Sequence, residues 1–264
     1  MPVAEQNQLI EKIVADVVAR LQGTGAARTA AAPQASAAPA LRPADIAKYI
    51  DHTMLRPEAP TAVFDKLCQE ALQYRFFGVC VNSCRIAYVA RKLQGTGVRV
   101  CSVVGFPLGA MTSRSKAFET REAIEDGASE IDMVINVGLL KSGDFHGVEE
   151  DIRAVRRATR GNTVLKVIIE TALLTQDEKV MACELSKKAG ADFVKTCTGF
   201  SGGGASVEDL SLMRRVVGRE MGVKASGGVR TYKNALSFIG AGANRLGCVS
   251  SVAVVTGAEG TGSY

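Results

Sequence analysis

The sequence predicts an α/β chain folded as a (β/α)8 TIM barrel, and three observations carry that expectation. From residue 42 onward, short apolar runs alternate with helix-patterned segments, and eight strand–helix units in about 220 residues is the count of such a barrel. Several runs, such as Val164-Leu-Lys-Val-Ile-Ile169, are apolar almost throughout, as strands covered on both faces must be. No Gly-x-Gly-x-x-Gly follows the first run, which argues against the competing doubly wound sheet.

The strand-like runs fall at 49–53, 78–82, 98–105, 130–136, 164–170, 192–199, 222–227 and 244–250. Segments with helical spacing lie between them, among them 61–74, 85–94 and 113–126. Gly95, Gly127, Gly190 and Gly240 stand where helix C-caps are expected. In a barrel the polar residues at the C-terminal ends of the strands become candidates: Asp51, Thr53, Asn82, Asp132, Lys166, Glu170, Lys195, Thr198, Lys224, Ser226 and Ser250.

The first forty residues form a separate unit. Leu9, Ile10, Ile13, Val14, Val17, Val18 and Leu21 recur on one face of a helix, with Glu11, Lys12, Asp16 and Arg20 opposite. Residues 22–41 contain almost nothing large and apolar and read as a flexible linker, which leaves 42–264 for the barrel. Charges interrupt every apolar stretch of the helix, against a secretory signal, and its acidic residues argue against a mitochondrial presequence. An apolar-faced helix on a tether needs a surface to dock on, either this enzyme's own or a partner's.

Composition excludes several classes. At 47% hydrophobic and 22% charged, the chain of 264 residues can bury a full core. Net charge is only +5, aromatics are 5% and tryptophan is absent, so the stacking surface of a nucleic-acid binder is missing. Arg156 and Arg157 read as part of a solvated helix face. No transmembrane span is found. Seven cysteines show no paired framework and suit a reducing compartment. Two histidines, His52 and His146, cannot make a three-histidine zinc site.

Two lysines carry the chemistry. Lys195 and Lys224 each sit in an apolar run ending in glycine, where lysine is a poor strand former and is rarely buried. If the two runs are neighbouring strands, repulsion and desolvation both favour the neutral amine of one of them, as a Schiff-base nucleophile requires. A solvated lysine at a strand end is the plainer alternative for either residue alone. Asp132, in the apolar run Ile131–Asn136, needs a cation, which the lysines supply. Lys166 is an alternative partner for it. Gly199, Gly227, Gly228 and Gly247 follow the last three strands, with Ser226, Ser250 and Ser251 nearby, where many barrels cradle a phosphate.

These runs resemble deoxyribose-phosphate aldolase over essentially all of residues 45–264. The resembling stretches are Ile50-Asp-His-Thr-Met-Leu-Arg-Pro-Glu58, Val79-Cys-Val-Asn82, Val104-Gly-Phe-Pro-Leu-Gly109, Glu130-Ile-Asp-Met-Val-Ile-Asn136, Leu165-Lys-Val-Ile-Ile-Glu-Thr171, Phe193-Val-Lys-Thr-Cys-Thr-Gly-Phe200 and Val223-Lys-Ala-Ser-Gly-Gly-Val-Arg-Thr231. The resemblance implies a cofactor-free and metal-free class I aldolase that reversibly joins acetaldehyde to glyceraldehyde 3-phosphate. It implies Lys195 as the Schiff-base lysine, Lys224 as the lysine that perturbs it and Asp132 as the proton-transfer carboxylate working through a water. It further implies that Thr53, Leu55 and Cys80 line the substrate, and that Gly199, Gly227, Gly228, Gly247 and Ser250 surround the phosphate; Lys166 and Thr198 join the substrate-binding candidates from their strand-end positions. The terminal Tyr264 is a candidate for reaching into the site. Cys197, Val249 and Phe200 depart from residues common in that family, and Val249 bears on phosphate selectivity. A homodimer is also implied. The helix-plus-Ala/Pro-linker pattern is similar to the encapsulation peptides that carry enzymes into bacterial microcompartments, implying a shell protein as partner and a place in the cytoplasm inside such a shell. Another barrel aldolase acting on a different phosphosugar, or a non-catalytic scaffold, remain the alternatives.

Overall fold

The computed structural model describes residue 12, residues 41–159 and residues 161–262. Apart from residue 12, the expected helix 1–21 lies outside the described residues, as do almost all of the linker and Tyr264. Eight strands, β1 Ile50–Met54, β2 Gly78–Val81, β3 Arg99–Val104, β4 Glu130–Val134, β5 Val164–Ile168, β6 Phe193–Lys195, β7 Gly222–Ser226 and β8 Arg245–Cys248, pair in sequence order as a closed barrel. All pairs are parallel, and β8 closes on β1 through Ile50↔Leu246, Asp51↔Gly247 and His52↔Cys248. Closure leaves no edge to protect.

The helices are α1 Thr61–Tyr74, α2 Ile86–Leu93, α3 Ser113–Glu125, α4 Val137–Lys141, α5 Phe145–Ala158, α6 Gln176–Lys188, α7 Val207–Val217, α8 Tyr232–Gly240 and α9 Ser251–Thr256. Local chemistry starts them. Thr112, Asp144, Thr175, Ser206 and Thr231 each accept a backbone N–H of the first helical turn, and Thr175 with Glu178 forms a reciprocal capping box.

Side chains alternate across each strand. Outward-facing Val79, Val81, Ile131, Met133, Leu165, Val167, Val194, Val223 and Leu246 join the helices in the main core. Inward-facing positions split into two halves. Cys80, Cys101 and Val103, with Leu55, form a small apolar cluster against Phe106 on the β1–β3 side. The β4–β8 side, joined by Asp51 of β1, carries charge.

Every expected run contains a strand, but most strands stop short of the expected end. At β4 the apolar run continues to Ile135, yet Asn136 turns to cap α4 by accepting Leu139 N–H at 3.1 Å. Residues 196–199, expected in β6, instead peel away toward Glu170, which accepts from Thr198 N–H and hydroxyl. Gly240 is the last residue of α8, and Gly242, at φ +108°, takes the left-handed position expected of it. Arg156 is not a freely solvated residue. It bridges Asp192 at 2.8 Å and the carbonyl of Thr163, while Arg157 stays exposed. No helix among the described residues is long and apolar enough to cross a membrane.

Candidate active site

Lys195 and Lys224 are register partners on β6 and β7 and point into the barrel. Their amines meet through a carboxylate: Asp132 Oδ2 lies 2.9 Å from Lys195 Nζ and 2.8 Å from Lys224 Nζ. Its other oxygen, Oδ1, is 2.8 Å from Lys166 Nζ and accepts from the Cys101 thiol at 3.1 Å. All four charged residues are buried, with Lys195 only 1% exposed.

The contacts continue into a closed cycle of alternating charge. Lys166 reaches Glu130 at 2.6 Å, Glu130 reaches Arg245 at 3.1 Å, Arg245 reaches Asp51 at 2.9 Å, Asp51 reaches Lys224 at 2.5 Å and Lys224 returns to Asp132. Three carboxylates thus balance Lys166, Arg245 and Lys224, and Lys195 hangs from Asp132 as a seventh, surplus group. Two-residue spacing places Glu130 on the same interior face as Asp132. Arg245 stacks on Phe77 at 3.5 Å and lies 5.6 Å from Phe193, closing the floor beneath the cycle. Gly247 makes room for Ser226 and the Lys224 stem: a Cβ there would stand 2.3 Å from Ser226 Oγ and 3.3 Å from Lys224 Cε.

Electrostatics follow from this geometry. Burial alone would neutralise Asp132, but the ammonium groups of Lys166, Lys195 and Lys224 hold it well below the usual carboxylate range. Burial likewise opposes the charge on Asp51, and Lys224 and Arg245 reverse that, lowering it to about 2. Lys224 is buried too, yet Asp132 and Asp51 raise it well above an ordinary lysine. The direct repulsion expected between two bare lysines is therefore compensated by carboxylates, and Lys224 keeps its proton. Burial opposes Lys166 as well, and Asp132 followed by Cys101 raises it.

The remaining sequence candidates fall into distinct places. Thr53 is buried at the end of β1 and donates to the Asp51 carbonyl at 2.8 Å. Leu55 and Cys80 belong to the apolar interior cluster, whose Phe106 meets Phe200 edge-on at 5.2 Å. Lys166 is wholly buried within the charge cycle, and Thr198 is bound to Glu170. Gly199, Gly227, Gly228 and Gly247 line one cavity of about 80 Å³ together with Gly203, Val249, Arg230 and Gly262. Ser250 lines the adjoining groove instead, and its hydroxyl accepts from Gly262 N–H at 3.1 Å. The glycine cavity gains a cation, Arg230, that sequence reasoning did not single out, although its position directly after Gly228-Val229 in the β7 loop signals it.

Cys80, Cys101 and Asp132 are the group among the described residues whose donor atoms, all within 4.8 Å of one another, could approach one metal ion. The three ammonium groups already on Asp132 oppose a dication there.

A family profile described as DeoC/LacD family aldolase matches residues 46–257. The chain belongs to this aldolase family. It is 59% identical over 216 residues to a deoxyribose-phosphate aldolase of Brevibacillus brevis, covering 82% of this chain and 97% of that one. Among solved structures, a candidate deoxyribose-phosphate aldolase from Coccidioides immitis superposes with a TM-score of 0.84 at 40% identity, covering 95% of this chain and 96% of the other. A tetrameric deoxyribose phosphate aldolase from Aeropyrum pernix gives 0.74 at 32% identity over 81% and 91%. In this aldolase Lys195 is the last residue of β6, the end of the strands at which such folds place their chemistry, while Lys166, Lys224 and Asp132 lie mid-strand.

Proposed function

We propose that this chain reversibly cleaves 2-deoxy-D-ribose 5-phosphate to D-glyceraldehyde 3-phosphate and acetaldehyde through a Schiff base on Lys195. The observation that carries the reading is the closed charge cycle with Lys195 attached outside it. The cycle is neutral without Lys195, so a free amine there leaves no buried carboxylate unpaired.

The free amine of Lys195 attacks the C1 aldehyde of the open-chain sugar, and loss of water from the carbinolamine gives an iminium. Removal of the C3 hydroxyl proton then lets the C2–C3 bond break, its electron pair moving into the iminium to give an enamine. Glyceraldehyde 3-phosphate leaves, C2 is protonated, and hydrolysis returns acetaldehyde and the amine. Asp132 rests as an anion and touches both amines, so it takes up a proton through a water and returns it while protonated Lys224 stabilises developing negative charge. Glycine N–H groups and Arg230 in the neighbouring cavity suit the 5-phosphate. Leu55, Cys80, Cys101 and Val103 supply an apolar wall for the acetaldehyde carbons.

Borohydride added with substrate tests this reading. It traps a covalent adduct on Lys195, whereas an adduct on Lys224 reverses the two roles. Acetaldehyde outperforms dihydroxyacetone phosphate as donor, and the opposite preference moves the chain to a different phosphosugar. Purified protein that cleaves neither leaves a scaffold role.

Residues 1–21 form a docking helix for a microcompartment shell in this proposal, and 22–41 its tether, supported by the one-sided apolar pattern and the Ala/Pro composition. Deleting residues 1–40 leaves turnover intact and abolishes recruitment to a shell. Lost turnover instead indicates a helix that folds back on the barrel. Self-assembly of the barrel, for which the resemblance implies a dimer, is read by sedimentation of the same truncated protein.

A further inference from the structure

The apolar half of the barrel interior holds two thiols that wall the pocket but whose sulfur chemistry the aldol steps do not use. Cys80 and Cys101 are directly opposed on β2 and β3, and adjacent strands lie about 4.8 Å apart, inside the Cα separation that a disulfide spans. Their sulfurs lie within 4.8 Å of each other, both side chains face inward, and both residues are at most 1% exposed. Lys195 is equally buried. An opening that admits an aldehyde to Lys195 also admits a peroxide.

We propose that Cys80 and Cys101 are an oxidative modification site, a dithiol inside the active site that a peroxide converts to a reversible disulfide. Cys80 is the attacking sulfur: hydrogen bonding with the Cys101 thiol lowers its pKa against burial, and Lys224 adds to the effect. Cys101, raised by burial and by its neighbours Cys80 and Asp132, keeps its proton and is the resolving thiol. The Cys80 thiolate attacks one peroxide oxygen, the O–O bond breaks, and the leaving oxygen takes up protons as water. Cys101 sulfur then attacks the Cys80 sulfenic acid. The S–S bond forms, the S–O bond breaks, and the departing hydroxide takes the Cys101 proton as a second water. Two thiols are oxidised and one peroxide is reduced.

The consequence for catalysis is direct. The Cys101 thiol donates to Asp132 Oδ1 at 3.1 Å and lies 3.4 Å from Lys166 Nζ. A disulfide removes that donor and pulls both sulfurs out of the wall beside Lys195. Bridging directly opposed residues of parallel strands departs from relaxed disulfide geometry, which makes the bond easily reduced.

The test treats the full chain with hydrogen peroxide and reads intact mass, peptide linkage and aldol cleavage, before and after dithiothreitol. The expected result is loss of most of the activity, a mass lower by two hydrogens, a Cys80–Cys101 cross-linked peptide and recovery on reduction. The Cys101→Ala protein, measured against its own starting rate, gains oxygen on Cys80 and does not recover with dithiothreitol. Linkage of Cys80 to the exposed Cys84 or to a second chain, or irreversible oxygen addition in the unsubstituted protein, overturns the proposal. The mass readout is independent of which sugar is cleaved, so a wrong substrate assignment is distinguishable from a wrong modification site.

Discussion

Replacing Arg245 by Met opens the charge cycle at its floor while keeping the volume of the stem. Arg245 is the cation that Asp51 and Glu130 share, at 2.9 and 3.1 Å, and burial opposes it until those two carboxylates raise its pKa. After Arg245→Met, three buried carboxylates face Lys166 and Lys224 alone, plus whatever charge Lys195 retains. Breaking a buried ion pair from one side costs about 3–5 kcal/mol. Loss of stacking on Phe77, at 3.5 Å, adds about 0.5–2 kcal/mol. Against a total stability of about 5–15 kcal/mol, the variant keeps a folded barrel with a narrow margin. Urea unfolding followed by far-UV circular dichroism reads the change, because the chain has no tryptophan. With a slope of about 3 kcal/mol per molar, the midpoint falls by about 1–2 M at an unchanged slope. Adding Asp51→Asn to Arg245→Met recovers about 1 kcal/mol or more by removing one stranded carboxylate. A midpoint loss below about 0.3 M, or strictly additive costs in the double variant, shows that Arg245 is a solvated plug and that the cycle is not an energetic unit.

Three further outcomes follow from the same geometry. Lys224→Met lowers kcat by on the order of 10²-fold or more while borohydride still traps substrate on Lys195, and loss of trapping places the nucleophile elsewhere. Asp51, lowered to about 2 from an ordinary value of about 3.9, contributes about 2–3 kcal/mol that is present above pH ~4 and lost as pH falls toward 2, and Asp132 acts in the same direction. Raised Lys166 and Lys224 contribute the opposite way, fully below about pH 10.4 and less above it, so the urea midpoint of Asp51→Asn converges on that of the unsubstituted chain only in acid. Gly227→Ala places a Cβ 2.7 Å from Cys197 Sγ at φ +83°, and raises KM for the phosphosugar far more than for unphosphorylated 2-deoxyribose; an equal rise removes the phosphate from that cavity.

Much of this architecture is legible in the sequence because it rests on short-range patterns. The segment 61–74 reads as a helix from its spacing, and α1 spans Thr61–Tyr74. Eight apolar runs give eight strands because each is buried on both faces. The ends are less legible: Ile135 and Ile169 remain buried beyond β4 and β5, so apolarity outlasts the ladder. The lysines and Asp132 stand out as charges inside apolar runs. Glu130 and Arg245 do not, because each stands at the start of its run and looks like a solvated strand start. Only closure of the sheet turns those positions inward and brings residues 115 apart in sequence to 3.1 Å. Nor can Ser250 and Gly247, three apart, be sorted between groove and cavity before the chain bends into α9.

The charge cycle is a poor choice for stability alone. Six ionised groups inside a barrel cost several kcal/mol each in lost hydration, and well-packed apolar residues in their place are often neutral or stabilising. Neighbouring β1–β3 positions show that this chain can fill the same interior with Leu55, Cys80, Cys101 and Val103. What apolar packing cannot provide is a buried, anionic Asp132 whose two oxygens are fixed by Lys166 and Lys224 and still touch Lys195. Glu130, Arg245 and Asp51 hold those two lysines from the far side, leaving the surplus amine as the group free to change its bonding without stranding a charge. A nucleophile that must be an amine, an iminium and an amine again within one turnover needs surroundings that remain paired throughout, and the cycle meets that need.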